Sequence, residues 1–547
     1  MANLVLGPCL RHVGETDATV WVETDAACEV EVLEHRSPTF HVEGHHYALV
    51  VIEGLQPGQR YEYTVRLDGQ PVWPPPPWPY PPSAIRTIDP ARSFVLVFGS
   101  CRCAAPHEPP WTLTRREDPC GREIDALYAY ALRMQREPAQ RWPDALLLLG
   151  DQVYADDASP GTRDFIRSRR DTSQPPGEEV ADFQEYSRLY QEAWTDPVVR
   201  WLLSTVSVAM IFDDHDIHDD WNTSHAWLRR MRALPWWHER IVGGLMAYWL
   251  YQHLGNLSPD QLATDELYAR VRQAEDAGTV LRPFALRSDR EPASTRWSYH
   301  RDFGASRLVV IDSRCGRVLA GDQREMLDEE EWRWLDDHVA GDYDHLLLAT
   351  SLPYLLLPAI HHLEAWNEAV CDGAWGRAAA RVGELVRQGI DLEHWAAFGT
   401  SFDRLAALVD EVAAGEHGAA PASIVLLSGD VHHAYLARVA AAEPETSPVY
   451  QAVCSPVRNP VEPAVRLAYQ AAASRPMAWL TRALARAAGV PRPALRWEVA
   501  EGPVFNNQIA TLTLDGRSAL LELERAVPHA ASRPRLETVL VHRLARG

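Results

Sequence analysis

The stretch Val206-Ser-Val-Ala-Met-Ile-Phe-Asp-Asp-His-Asp-Ile-His-Asp-Asp-Trp221 decides the fold. Its opening, Val206 to Phe212, is a short and nearly continuous apolar run, the signature of a strand buried on both faces. Its second half, Asp213 to Asp220, is a burst of side chains that can hold metal ions. The same pattern recurs. The run Ser93 to Phe98 leads into Gly99-Ser100-Cys101, and Ala145 to Leu149 leads into Gly150-Asp151-Gln152-Val153-Tyr154. Ser423 to Leu427 leads into Ser428-Gly429-Asp430-Val431-His432-His433. Arg307 to Ile311 and His345 to Ala349 are further apolar runs, with helical patterns such as Glu123 to Arg136 and Gln323 to Val339 between them. Alternating strands and helices predict an α/β core. In such folds, sites assemble at the carboxyl ends of the strands.

Outward from this core the character changes. Residues 1–70 alternate as short strands between turn signals such as Pro57-Gly58 and Asp68-Gly69, which predicts a small β-sandwich. Residues 71–92 open with Pro71-Val-Trp-Pro-Pro-Pro-Pro-Trp-Pro-Tyr-Pro-Pro82, read as a stiff proline-rich linker. Residues 93–547 are read as one larger domain, which closes in a β meander over about 500–547. The Ala- and Arg-rich stretch 462–495 reads as helical and surface-facing.

Composition excludes whole classes of chemistry. The 547 residues carry a net charge of −22 and no lysine, so every fixed side-chain cation is an arginine. A phosphate-binding loop with its lysine and a Schiff-base lysine are ruled out. The acidic balance argues against nucleic acid as a partner. No signal peptide and no membrane span are visible, so the expected location is the cytoplasm, and the eight cysteines are expected to be reduced.

Four strand ends that each release ligand side chains are hard to explain by chance. Two unit charges about 4 Å apart repel by about 4 kcal/mol at an effective dielectric of ~20, and bound cations remove that repulsion. A single Gly-Asp is more simply a turn or a helix cap. Cys101 has two other readings, a structural thiol or a zinc site with Cys103, His107 and Cys120. With lysine absent, Arg102 and Arg314 are the candidate phosphate clamps, each with a salt bridge as the alternative. His361 and His362 either reach the pocket or lie on a loop, and Glu364, Trp366 and Trp395 are expected to wall the substrate.

The order Gly-Ser-Cys, Gly-Asp-x-x-Tyr, Asp-Asp-His-Asp…Asp-Asp-Trp and Ser-Gly-Asp-Val-His resembles the PhoD family of alkaline phosphatases and phosphodiesterases. That family lies within the calcineurin-like metallophosphatases. Ile311-Asp312-Ser313-Arg314, Leu327 to Leu335 and Phe402-Asp403-Arg404-Leu405 extend the likeness, which runs from about Phe94 to Pro456. The resemblance implies a four-layer α/β/β/α sandwich with an N-terminal fibronectin III-like β-sandwich. It implies Asp151 as the carboxylate bridging two metals. It implies Cys101, Tyr154 and His432 at ferric iron, and Asp214, Asp220 and Asp430 at a second ion, often calcium. His215 would act beside the phosphate as general acid or charge stabiliser. Apart from the resemblance, His433 reads as a pocket-lining or supporting residue or as a ligand, and with Arg314 it is a candidate for binding substrate. Thiolate and phenolate suit trivalent iron, and carboxylates suit calcium. In a cytoplasmic setting magnesium, manganese or zinc are alternatives.

The expected activity is hydrolysis of phosphate monoesters or diesters, in a small molecule or a polymer, by attack of a metal-bound hydroxide. The rival expectation is a catalytically silent scaffold whose sandwich recruits a partner or a polysaccharide. A complete ligand set favours the enzyme.

Overall fold

A computed structural model describes residues 1–320, 323–440, 446–529 and 533–546. It is a mixed α/β structure built on two large sheets. In the first, Ser207–Ile211, Ala145–Leu149 and Phe94–Gly99 lie parallel, and Gln508–Asp515, Ser518–Val527 and Arg535–Ala545 continue the sheet antiparallel. In the second, Ser306–Ile311, His345–Thr350, Ser423–Ser428 and Val449–Val453 are parallel neighbours. Tyr299–Phe303 flanks them on one side, and Ala434–Val439 and Trp497–Val504 on the other, all antiparallel.

The apolar runs form these strands because both of their faces are covered. Every residue of Ala145–Leu149 and of Ser207–Ile211 is buried. In the second sheet the pleat sorts side chains by parity. Leu308, Val310, Leu347 and Leu427 join one core with Leu96, Phe98 and Leu147 of the first sheet. Val309, Ile311, Leu348 and Leu426 face a second core with Trp332 and Leu335 of the helix Glu329–Val339 and Leu405 of the helix Gly399–Ala414. Parallel pairing brings Gly99, Leu149 and Ile211 to one edge and Ile311, Thr350, Ser428 and Val453 to an edge of the other sheet. The loops leaving those edges carry the site.

Residues near the N-terminus form two four-stranded sheets. Leu4–Val13, Ala18–Thr24, His45–Ile52 and Phe40–Val42 make one, and His35–Pro38, Glu29–Val32, Val65–Leu67 and Gln70–Trp73 make the other. Val20, Val22 and Val50 meet Val30, Val32 and Val65 between them. The opposite face of the first sheet is buried too. Trp21 packs 5.3 Å from Tyr251 and edge-on to Trp194, in the core of the larger sheets.

The proline run differs from a free spacer. Gln70–Trp73 is a strand, with Trp73 opposite Val65, and the Trp73 indole N–H donates to Ser83 Oγ at 3.0 Å. The Trp201 indole N–H donates to the Pro81 carbonyl at 2.9 Å, and Ala84–Arg86 pairs with Arg60–Glu62. The aromatic residues between the prolines anchor the segment on both units. None of the eight cysteines is in a disulfide. Among the described residues no helix is long and apolar enough to cross a membrane.

Candidate metal centre

The loop after Phe94–Gly99 runs beside the loop after Ala145–Leu149. The Cys101 amide donates to the Gly150 carbonyl at 3.2 Å, and the Arg102 amide to the Asp151 carbonyl at 3.1 Å. Two glycines permit this closeness. A Cβ on Gly150 would stand 2.5 Å from Asp213 Cβ, and one on Gly429 would stand 2.1 Å from Ser100 Oγ. Cys101, Asp151, Asp220, Asp430 and His432 all have positive φ, between 51° and 64°. For residues with a Cβ this costs on the order of 1–3 kcal/mol each and is held only by the surrounding structure. The turn is fixed from below by Asp216, whose carboxylate accepts the amides of Asp151, Gln152, Val153 and Asp213.

Ligand atoms converge in overlapping sets. Cys101, Asp151 and His432 offer atoms within 4.8 Å of one another, as do Asp151, Asp214 and His215, and Asp213, Asp214 and Asp430. Asp151 belongs to the first two sets. Tyr154 Oη lies 3.3 Å from Asp151 Oδ2 and receives the Asn459 amide at 3.1 Å. Ser455 Oγ lies 3.1 Å from Cys101 Sγ. Burial, and then the carboxylates of Asp151 and Asp430, push the Cys101 thiol well above its usual range. Burial, with Asp214 and Asp213 adding, does the same to Asp151. Burial holds His432 down at about 4, so its ring is a neutral donor at pH 7.

These residues fit metal ions. Oδ1 of Asp151, Oδ2 of Asp213 and Oδ1 of Asp220 are buried with no hydrogen-bond donor. Buried carboxylate oxygens are rarely left so. A cation would satisfy them and reverse the upward shifts of Cys101 and Asp151. The donors differ along the site: sulfur, imidazole and phenol at one end, and carboxylates alone at the other.

Two arginines expected on phosphate face elsewhere. Arg102 Nε donates to Asp125 Oδ2 and its Nη1 to the Ala193 carbonyl, both at 2.9 Å. Arg314 is fully buried beneath the carboxylates. It hydrogen-bonds Asp213 through Nε and Glu393 through Nη1, and its Nη2 stands 3.2 Å from Asp214 and 3.7 Å from Asp430. It is the floor of the acidic cluster. His433 lies beside its neighbour's site but is buried, its Nδ1 2.6 Å from the Val431 carbonyl and its ring 4.4 Å from Tyr469. His361 packs against Phe402 and Trp497, and Trp395 is core. His107 stacks on Tyr128 and Cys120 is exposed, so the alternative zinc set does not assemble around Cys101.

His215 stands at the mouth of the site. Its Nδ1 is 2.9 Å from the Asp156 carboxylate and its Nε2 is 3.6 Å from Asp219. Burial lowers its pKa, but Asp156 and Asp214 outweigh that and hold it well above the ordinary value. Asp220 is pushed up to about 10 by burial and then by Glu393 and Asp391.

A family model described as PhoD-like phosphatase matches residues 126–488. The chain belongs to the PhoD-like phosphatase family. The match spans Asp151, Tyr154, Asp214, His215, Asp220, Asp430 and His432, while Cys101 precedes it. Residues 1–85 match a second model, described as a domain of unknown function (DUF7800). A solved structure described as that of PhoD is similar at a TM-score of 0.57 and 12% identity, over 99% of this chain and 90% of that chain. At that identity the likeness is one of fold. No curated protein matches.

Within this PhoD-like site, several residues escaped sequence reasoning. His394 bridges Glu364 and Asp430, and Glu393 pairs with both Arg314 and Arg317. Asp156 partners His215. His394 and Glu393 follow no strand, so no strand-end signal marks them, and Glu364, expected to wall the substrate, is fully buried within the helix Pro358–Cys371.

Proposed function

We propose that the protein is a metal-dependent phosphoesterase acting on phosphate monoesters, diesters or both. Family membership supports a hydrolase of phosphoric esters. The single observation that carries the metal reading is the buried carboxylate oxygens of Asp151, Asp213 and Asp220 that no hydrogen-bond donor among the described residues reaches. In this reading Cys101, Tyr154, His432 and Asp151 hold one cation, and Asp151, Asp214, Asp220 and Asp430 hold another. Ferric iron fits the first donor set and calcium the second, with magnesium, manganese or zinc as alternatives. When bound, the ions neutralise phosphoryl oxygens and acidify the attacking water.

The chain's own residues supply the rest. His215, kept protonated by Asp156, holds a proton on Nε2 for the departing oxygen or for charge on the phosphoryl group. Arg314 balances the carboxylate cluster from beneath, so phosphate recognition falls to the metals and His215. The packing of the two sheets, with helices outside the second, supports the four-layer reading. The pairing of Ala84–Arg86 with Arg60–Glu62 supports reading the N-terminal unit as reaching residue 86 rather than 70. Metal analysis and turnover of chromogenic monoesters and diesters test the proposal. Protein purified without stoichiometric metal, or full turnover by Asp151→Asn, would overturn it.

A further inference from the structure

The chain is acidic overall, yet residues 463–496 contain six arginines and no aspartate or glutamate. They form the helices Pro463–Ala472 and Arg475–Ala487 and the segment after them. Among the described residues, none of these arginines is in an ion pair with a carboxylate. Arg482 is held down by part-burial and then by the charges of Arg492 and Arg486.

The same face is apolar. Leu467 is 68% exposed, Trp479 73% and Leu480 56%. The helix Arg377–Gly389, joined to the end of Arg475–Ala487 by the Trp375 indole N–H donating to the Ala487 carbonyl at 3.3 Å, has two exposed arginines in its first two turns and presents Val382 at 60% and Leu385 at 74%. The helix Pro463–Ala472 buries no residue at all. A ten-residue helix in water draws its stability mainly from packing an apolar face. This one leaves its apolar side chains Val465 and Leu467 exposed, at 43% and 68%. Its inward contacts are few: the Tyr469 ring lies 4.4 Å from His433, next to His432, and the Arg466 guanidinium lies 5.1 Å from the centre of the Phe505 ring. The face therefore flanks the site.

We propose that this face docks on the surface of an anionic lipid bilayer. Amphipathic helices with arginine beside exposed leucine and tryptophan lie in the headgroup region, where each basic residue adds to the attraction for anionic lipid. Helices of ten and thirteen residues are too short to span a bilayer, which takes about 20. The rest of the protein, strongly acidic, is repelled by the same surface, so docking is oriented with the site edge towards the headgroups.

The test is flotation of the purified full chain with vesicles of phosphatidylcholine alone and of phosphatidylcholine mixed with phosphatidylglycerol. Binding is expected only with the anionic vesicles and should weaken as salt rises. Leu467→Ser with Trp479→Ser, and separately Arg475→Glu with Arg486→Glu, should each lower vesicle binding by about tenfold or more. These side chains are exposed, and an unchanged circular dichroism spectrum shows that the variants fold. Absence of binding by the parent protein, or equal binding by all variants, overturns the proposal. So does a dimer by light scattering that the Leu467/Trp479 variant dissociates, since the face would then join two copies. Loss of turnover on soluble esters with vesicle binding intact would count against the phosphoesterase reading alone.

Discussion

His394 Nε2 stands 2.9 Å from Oδ2 of Asp430. Its Nδ1 stands 2.6 Å from Oε1 of the buried Glu364. A ring held at both nitrogens cannot swing, and it fixes the carboxylate of Asp430, whose backbone already sits at a φ of 64°. Partners of this kind orient metal ligands without touching the metal.

His394→Ala should therefore weaken metal binding at the Asp430 end of the site by about 10–100-fold. Binding at the Cys101 end should change little. Metal titration of the apo-protein with each ion checks this, and equal affinities in parent and variant would refute the positioning role. Glu364→Gln, which keeps His394 and can still reach its Nδ1, should cost less than His394→Ala.

His215→Ala should lower turnover by about 10²–10⁴-fold while leaving the metal content intact. Asp156→Asn should act in the same direction and more weakly, because it removes the charge that keeps His215 protonated. Steady-state kinetics alongside metal analysis separates the two effects. A variant that loses metal together with turnover would show that His215 is a ligand.

Arg314→Met should destabilise the fold by about 3–5 kcal/mol, because Asp213 would be left buried without its cation and Glu393 with Arg317 alone. Urea unfolding of the apo-protein measures it. An unchanged midpoint would mean that the two carboxyls take up protons at little cost and that Arg314 is not the floor of the cluster.

The sequence made the strand ends legible because each couples two independent signals, an apolar run and a ligand burst. Cys101, Asp151, Asp214, Asp430 and His432 all follow such ends and do converge. The long-range partners were not legible. Glu393 and His394 reach the site through loop closure, which no local pattern records, and Glu364, expected to wall the substrate, is instead buried against His394. Arg102 and Arg314 follow motif residues as a phosphate clamp would, but direction matters more than adjacency. Asp312 accepts the amides of Arg314, Cys315 and Gly316, and this tight turn accompanies a guanidinium directed down onto Asp213 rather than out to substrate. The proline run misled for a related reason: composition shows stiffness, whereas the anchoring of Trp73 is a tertiary fact.

Acid should unfold the protein through two buried histidines outside the converging ligand sets. His361, packed against Phe402 and Trp497, is held down to about 3 by burial and then by the charges of His362 and Arg482. His253, edge-on to Trp297, is held down to about 3 by burial and then by Arg11. In the unfolded chain each binds a proton below about pH 6.5. In the folded protein neither does until about pH 3. The unfolded state thus binds more protons throughout that window, so stability is full above pH ~6.5 and falls as pH drops towards ~3, by on the order of a few kcal/mol per histidine. His361→Phe should keep the ring contacts and remove its share of the acid sensitivity. Urea unfolding at about pH 7.5 and about pH 4.5 checks this. The expected result is a smaller loss on acidification for the variant, and an equal loss would remove His361 from the account.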